Sequence, residues 1–235
     1  MRENILSRIT IYKVIRWAKV VTFLVCLGPL VRLGWKAYNG LLGANPIEVI
    51  THSTGDWTLI FLCVTLAVSP LRMLTKQYWL IRFRRMLGLF AMFYGTLHFT
   101  TYIWLDKFFD VHEMVKDVAK RPFITMGFTA FVLMIPLAIT STRGWISRLG
   151  GKRWNLLHRL IYFSAIAGVI HYVWLVKKDL TKPLEYAAVV TVLLGYRLAV
   201  WAIPSMSSRR SLSGKPVGVP GVIPSGAKAP IEECR

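Results

Sequence analysis

Apolar residues run through this chain in stretches of bilayer length rather than in the short stripes of a soluble core. About 20 helical residues, at 1.5 Å each, cross roughly 30 Å of hydrocarbon. Six such stretches are legible, at about 14–38, 54–71, 84–104, 123–141, 155–176 and 184–203. Each predicts a transmembrane helix, because a spanning segment must satisfy its own backbone hydrogen bonds in lipid. The expected fold class is all-α, a polytopic membrane bundle of about six transmembrane helices.

The punctuation refines this picture. Gly28-Pro29 and Arg32 interrupt the first stretch and predict a kink near its outer end. Ser69-Pro70-Leu71-Arg72 predicts the end of the second, since proline and charge both oppose a buried helix there. Trp79, Trp104, Trp145, Trp154, Trp174 and Trp201 fall near span ends, as an interfacial aromatic belt requires. Residues 105–122 interleave Phe108, Phe109, Val111, Met114, Val115 and Val118 with charge, which predicts a short amphipathic segment on the outer surface. Arg2, Arg8, Lys13 and Arg16 ahead of the apolar run Val20–Val31 mimic a signal peptide, but no small-x-small cleavage site follows. The segment reads as an uncleaved first helix.

Charge then sets the orientation. The chain is 54% hydrophobic, has a mean hydropathy of +0.48 and carries a formal net charge of +19. Such a charge can signal nucleic acid, but here the basic residues sit between apolar spans, so no nucleic acid is implied and anionic membrane lipid is the acidic counterpart. Arg72, Lys76, Arg82, Arg84 and Arg85 separate the second and third spans with no acid among them. Arg143, Arg148, Lys152 and Arg153 do the same between the fourth and fifth. On the other side Asp106, Asp110, Glu113 and Asp117 offset Lys107, Lys116, Lys120 and Arg121. Both termini are therefore expected in the cytoplasm. The organisation expected is a membrane domain over 1–203 and a Ser-, Gly- and Pro-rich cytoplasmic tail over 204–235, too poor in apolar residues to fold alone. About thirty residues cannot build a nicotinamide- or flavin-binding sheet domain, and no G-x-G-x-x-G occurs.

Chemistry is confined to few side chains. Cys26, Cys63 and Cys234 form no C-x-x-C-H, which excludes covalent c-type haem. Of five histidines, His52 and His112 fall at the outer surface or in a loop, whereas His98, His158 and His171 lie inside predicted spans. Ionisable groups in hydrocarbon are costly and mark function. His98 and His171 should lie at similar depth on two spans running the same way, an arrangement that suits axial ligation of a haem iron from both sides. His158 lies thirteen residues before His171, roughly 20 Å lower, and offers an inner iron site. In an ideal helix the two would not share a face, so bending or side-chain reach must bring both inward. The position matching it on the third span is Arg84, a poor iron ligand but a good partner for a haem propionate. Intramembrane histidines also serve proton relays and transporters, or simply pack; a haem-free transporter or assembly factor is thus the alternative. Asp56 and Glu185 read as interfacial, and the tyrosines Tyr94, Tyr102, Tyr162 and Tyr172 receive no role.

Three stretches resemble one family. Arg84-Arg85-Met86-Leu87-Gly88-Leu89 followed by Tyr94, His98, Tyr102 and Leu105-Asp106 resembles the third helix of the MsrQ family. Arg153-Trp154-Asn155-Leu156-Leu157-His158-Arg159-Leu160-Ile161-Tyr162 with His171-Tyr172 resembles its fifth, and Ser53-Thr54-Gly55 leading to Ser69-Pro70-Leu71-Arg72 its second. The likeness covers about 8–200. It implies a multi-pass protein of the bacterial inner membrane, similar to the membrane part of ferric reductases and NADPH oxidases. It further implies heme b on His98, His158 and His171, and FMN. Electrons would come from a cytoplasmic flavin reductase or the quinone pool and go to MsrP, a periplasmic molybdopterin enzyme that itself repairs oxidised protein methionine. The oxidase relatives have histidine where Arg84 stands, which sets the inner site apart. Arg82, Arg85 and Arg153 offer only surface charge to a flavin phosphate.

Overall fold

The structure, a computed structural model, describes residues 2–176 and 179–202; the expected tail lies outside them. Among the described residues all regular structure is helical: α1 (Arg2–Tyr38), α2 (Pro46–Thr75), α3 (Ile81–Thr101), α4 (Val111–Lys120), α5 (Pro122–Ile139), α6 (Arg143–Leu157), α7 (Leu160–Leu175) and α8 (Thr181–Ala202). A 3-10 turn, Tyr78–Leu80, leads into α3, and a π-helical turn, Tyr102–Asp106, leads out of it.

Four helices are long and apolar enough to cross a membrane: α1 from Lys13, α2, α5 and α8. The pair α6–α7, bent by 40°, makes a fifth. The remaining expected span, 84–104, is helical as α3 but falls short of the apolar character of the others, since it carries Arg82, Arg84, Arg85 and His98. The protein is thus an all-helical, multi-pass membrane protein.

The core forms where α2 packs on α3 and α5 packs on α7, the two pairs meeting through α2–α7 and α3–α5. Leu62, Leu66, Ala91, Tyr94, Ala165 and Ser164 are at most 1% exposed. Phe61 stacks on Tyr94 and Phe90, with ring centres 5.2 and 5.6 Å apart. α1 and α8 flank this bundle and turn Val21, Leu24, Val31, Val192 and Leu198 outward, as lipid-facing helices do.

Pro29 lies inside α1, which continues through it to Tyr38. Beside it the Tyr94 hydroxyl donates to the Cys26 carbonyl at 2.9 Å and accepts from the Leu30 amide at 3.2 Å. Those two backbone groups are each other's partners in a regular helix, so the phenol is spliced into the α1 ladder.

Two expectations are corrected. α2 does not end at Pro70. It starts earlier, at an Asn45 cap that accepts from the Glu48 amide, and continues through Pro70 to Thr75. Proline lacks the amide that would bond the carbonyl four residues back, Leu66. Arg197 of α8 fills that carbonyl through Nη2 at 2.9 Å, which makes an interior proline tolerable. The fifth span is also not one helix from 155. The chain breaks at His158-Arg159, so His158 caps α6 instead of sitting inside α7.

The amphipathic outer segment condenses into α4, shorter than 105–122. Its inward Asp117 is 7% exposed and holds Lys107 Nζ at 2.5 Å and Arg121 Nε at 3.3 Å. This clamp ties α4 to the chain on either side of it.

Candidate functional site: two histidine-lined cavities

The cavity at the α4 end of the bundle, called outer after the expected orientation, is about 550 Å³ and lies between α2, α3, α5 and α7, with Val118 and Arg121 also lining it. That volume is within the range of small-molecule and cofactor sites. His98 of α3 and His171 of α7 both line it, their ring centres 6.1 Å apart and ring planes at 72°. The sequence-based pairing of these two residues is therefore met in space.

The ring nitrogens are already differentiated. His98 Nδ1 lies 2.9 Å from the Thr51 carbonyl, and His171 Nδ1 lies 2.6 Å from the Phe123 carbonyl. A carbonyl can only accept, so each neutral ring carries its proton on Nδ1 and has its lone pair on Nε2. Histidine ligands of metals are commonly oriented by such a contact. Two metal–imidazole bonds of about 2 Å each, with half a ring beyond each, span roughly 6 Å centre to centre. The observed separation and the donor set thus fit a haem iron ligated from both sides.

Asp56, read as interfacial, lines this cavity together with Tyr172. His52, on α2 at the rim, is exposed and 3.8 Å from Glu48; His112 is exposed on α4. Neither enters the paired arrangement.

The inner cavity, about 480 Å³, is lined by Arg84, Arg85, His158, Arg159, Trp154 and Tyr162, among others. Met134 lines both cavities, so they adjoin at α5. The helix break supplies the bend that His158 needed. Its ring stacks on Trp154 at 3.8 Å, and its Nδ1 lies 3.1 Å from the Trp154 carbonyl. The Trp154 indole is itself anchored, donating to the Thr140 carbonyl at 2.8 Å. Trp154 is thus a wall of the cavity. His158 Nε2 is buried and makes no hydrogen bond, although the Leu137 carbonyl is close enough to be felt electrostatically. An orphaned imidazole nitrogen is the mark of a site built for a ligand.

Arg84 shares the inner cavity with His158, as expected, and donates from Nη1 to Ser69 Oγ at 3.4 Å. Arg197, which sequence reasoning passed over, donates to the Tyr162 hydroxyl and lies over its ring, 5.0 Å from the centre. Arg85 lines the cavity as well, whereas Arg82 and Arg153 do not. Among the described residues no carboxylate lines this cavity. A cationic wall without a counter-carboxylate favours an anionic group such as a propionate or phosphate.

Residues 54–169, from α2 to most of α7, match the family described as ferric reductase like transmembrane component. Fold and match together define the class, a multi-pass helical membrane protein of ferric reductase type. At finer grain, the chain is 57% identical to the protein-methionine-sulfoxide reductase heme-binding subunit MsrQ of Herminiimonas arsenicoxydans, over 83% of this chain and 90% of that protein. It is 50% identical to the MsrQ of Ralstonia nicotianae, over 86% and 93% of the two chains. With the MsrQ of Azospira oryzae the identity is 54%, over 77% and 78%. The chain belongs to the MsrQ family of the bacterial inner membrane.

Proposed function

We propose that this protein is the haem-binding membrane subunit of a protein-methionine-sulfoxide reductase system and passes electrons across the inner membrane. The observation that carries the reading is the His98–His171 pair, two imidazoles 6.1 Å apart in one cavity, each held through Nδ1. The names of the relatives, which are heme-binding subunits, support it.

His98 and His171 would hold a b-type haem in the outer cavity, and bound haem supplies one-electron exchange there. The chain's own residues do the rest. Thr51 and Phe123 keep Nε2 free of protons, and the α4 clamp shields the outer mouth. At the inner cavity His158 offers a second nitrogen ligand, while Arg84 and Arg85 neutralise an anionic group. A second haem with its propionate or an FMN phosphate suits that wall. Met134, shared by the two cavities, keeps the inner and outer sites adjacent.

The basic loops would face the cytoplasm, with both termini there and a cytoplasmic tail following α8. Electrons would enter from a flavin reductase or the quinone pool and leave to a periplasmic MsrP-type molybdopterin reductase, which performs the sulfoxide chemistry. A dithionite-reduced-minus-oxidised spectrum of the purified protein tests the reading. A low-spin b-type spectrum is expected, and a protein that inserts but binds no haem would refute it.

A further inference from the structure

We propose that α2 and α5 carry two copies of one ligand cradle, and that Gly55 and Gly127 are the positioning residues that set the ring planes of His98 and His171. This inference rests on the haem reading above.

The two sites repeat each other residue for residue. His98 meets the Thr51 carbonyl, and four residues on, one helical turn, stands Gly55. His171 meets the Phe123 carbonyl, and four residues on stands Gly127. A Cβ on Gly55 would lie 3.1 Å from His98 Cε1 and 3.2 Å from Nδ1. One on Gly127 would lie 2.7 Å from His171 Nδ1, 2.9 Å from Cε1 and 3.0 Å from Cγ. In each case the nearest atoms are those of the imidazole itself. Each ring therefore occupies the space where a side chain would begin, with its Nδ1–H on the carbonyl one turn back.

Helix geometry explains the offset. The carbonyl of residue i points along the helix toward residue i+4, so a ring that reaches it must cross the surface at i+4. Only glycine leaves that surface bare. Glycine is otherwise disfavoured inside a helix, because it gives up more backbone freedom than alanine. Gly34 and Gly144 show the contrast: a Cβ on either would meet nothing within 4 Å.

A hydrogen bond at one edge and a helix surface against the ring leave little freedom about the Cβ–Cγ bond. The two cradles stand on different helices, and the rings they hold are 72° apart. Axial imidazoles with near-perpendicular planes leave the iron dπ orbitals close in energy. The ferric low-spin EPR signal is then strongly anisotropic, whereas parallel rings give a more rhombic one. The cradles would thus set a spectroscopic and electronic property of a haem held by His98 and His171, although they supply neither ligand.

The test compares wild type with G127A, G55A and the control G34A in detergent, by ferric EPR and haem per polypeptide. Wild type and G34A should share a strongly anisotropic low-spin signal. G127A should shift it toward a rhombic form or lower haem affinity by about tenfold, as loss of an orienting contact typically does. G55A, with the looser contact, should do so less. Wild-type signal and haem content in both glycine variants would overturn the inference. A wild type without haem would instead refute the function proposed above.

Should G127A fail to accumulate, a double-mutant cycle decides the matter. With the imidazole removed in H171A, the extra methyl has space, so G127A/H171A should accumulate and melt at least as well as H171A. A further loss in that background would show that Gly127 serves only α5 packing, and would equally overturn the inference.

Discussion

Arg197 Nη2 donates to the Leu66 carbonyl at 2.9 Å, the carbonyl that Pro70 leaves without its helical amide. One side chain of α8 thereby repairs a defect in α2. Arg197→Ala should cost about 1–3 kcal/mol, the usual penalty for leaving a buried acceptor unsatisfied. Pro70→Ala restores the amide, so the double variant should lose less than the sum of the two single losses. Thermal melts in detergent measure this. Strict additivity would show that the two residues act separately.

Among the histidines, His98→Ala or His171→Ala should abolish most of the outer low-spin signal while the protein still inserts. His158→Ala should spare that signal. Haem per polypeptide and the reduced-minus-oxidised spectrum report the outcome, and a normal spectrum in both His98→Ala and His171→Ala would sink the outer site.

The inner cavity should answer differently. Arg84→Ala should lower flavin or inner-haem retention, because it removes a cation facing a cavity without carboxylates. The outer signal should stay. Arg84→His places a second imidazole opposite His158 and should raise haem content. Extraction of haem and flavin from each variant checks both, and unchanged contents in Arg84→Ala would reduce this residue to one more basic charge of the loops.

The α4 clamp predicts a pH profile. The hydrogen bond from Lys107 holds the Asp117 carboxyl below its ordinary value of 3.8, and the same bond raises the Lys107 amine above 10.5. A lowered carboxyl pKa contributes stability above the unfolded value and loses it as pH falls through the folded one. A raised amine contributes below 10.5 and loses it as pH rises through its folded value. The clamp should therefore be closed across the whole neutral range and open only in strong acid or strong base. Asp117→Asn should loosen α4 across the neutral range, by about 2 kcal/mol for a hydrogen bond between charged groups. Hydrogen exchange of the α4 amides measures it. A strong pH dependence between 5 and 9 in the wild type would contradict the assignment.

Topology is checked by thiol labelling in a background without native cysteines. Single cysteines at Lys76 and Ser147 should resist an impermeant reagent added outside intact spheroplasts, while one at Lys116 should react. The reverse pattern would invert the orientation.

The paired histidines were legible in the sequence because depth along a spanning helix can be counted from its ends. The cradle was not. Gly55 and Gly127 look the same in the sequence as Gly34, and only the position of a neighbouring helix separates them. The break at His158-Arg159 was hidden for a similar reason: no glycine or proline lies between Arg153 and Tyr162 to announce it. Pro70 did announce an end, and a tertiary partner 127 positions away, Arg197, overruled it. Asp56 was placed at the interface by its position in the span, because a cavity beside that span leaves no periodic trace in the sequence.

The Tyr94 hydroxyl in the α1 ladder acts as a depth gauge. α1 is otherwise attached mainly by apolar contacts, which tolerate sliding along the helix axis. Its bond to Cys26 and from Leu30 tolerates none: a shift of one residue would strand the Tyr94 phenol in hydrocarbon. The height of the first helix in the bilayer is thus dictated from inside the bundle, by a side chain of α3. Lys13 and Arg16, near its N-terminal end, are thereby set at one height relative to the bundle.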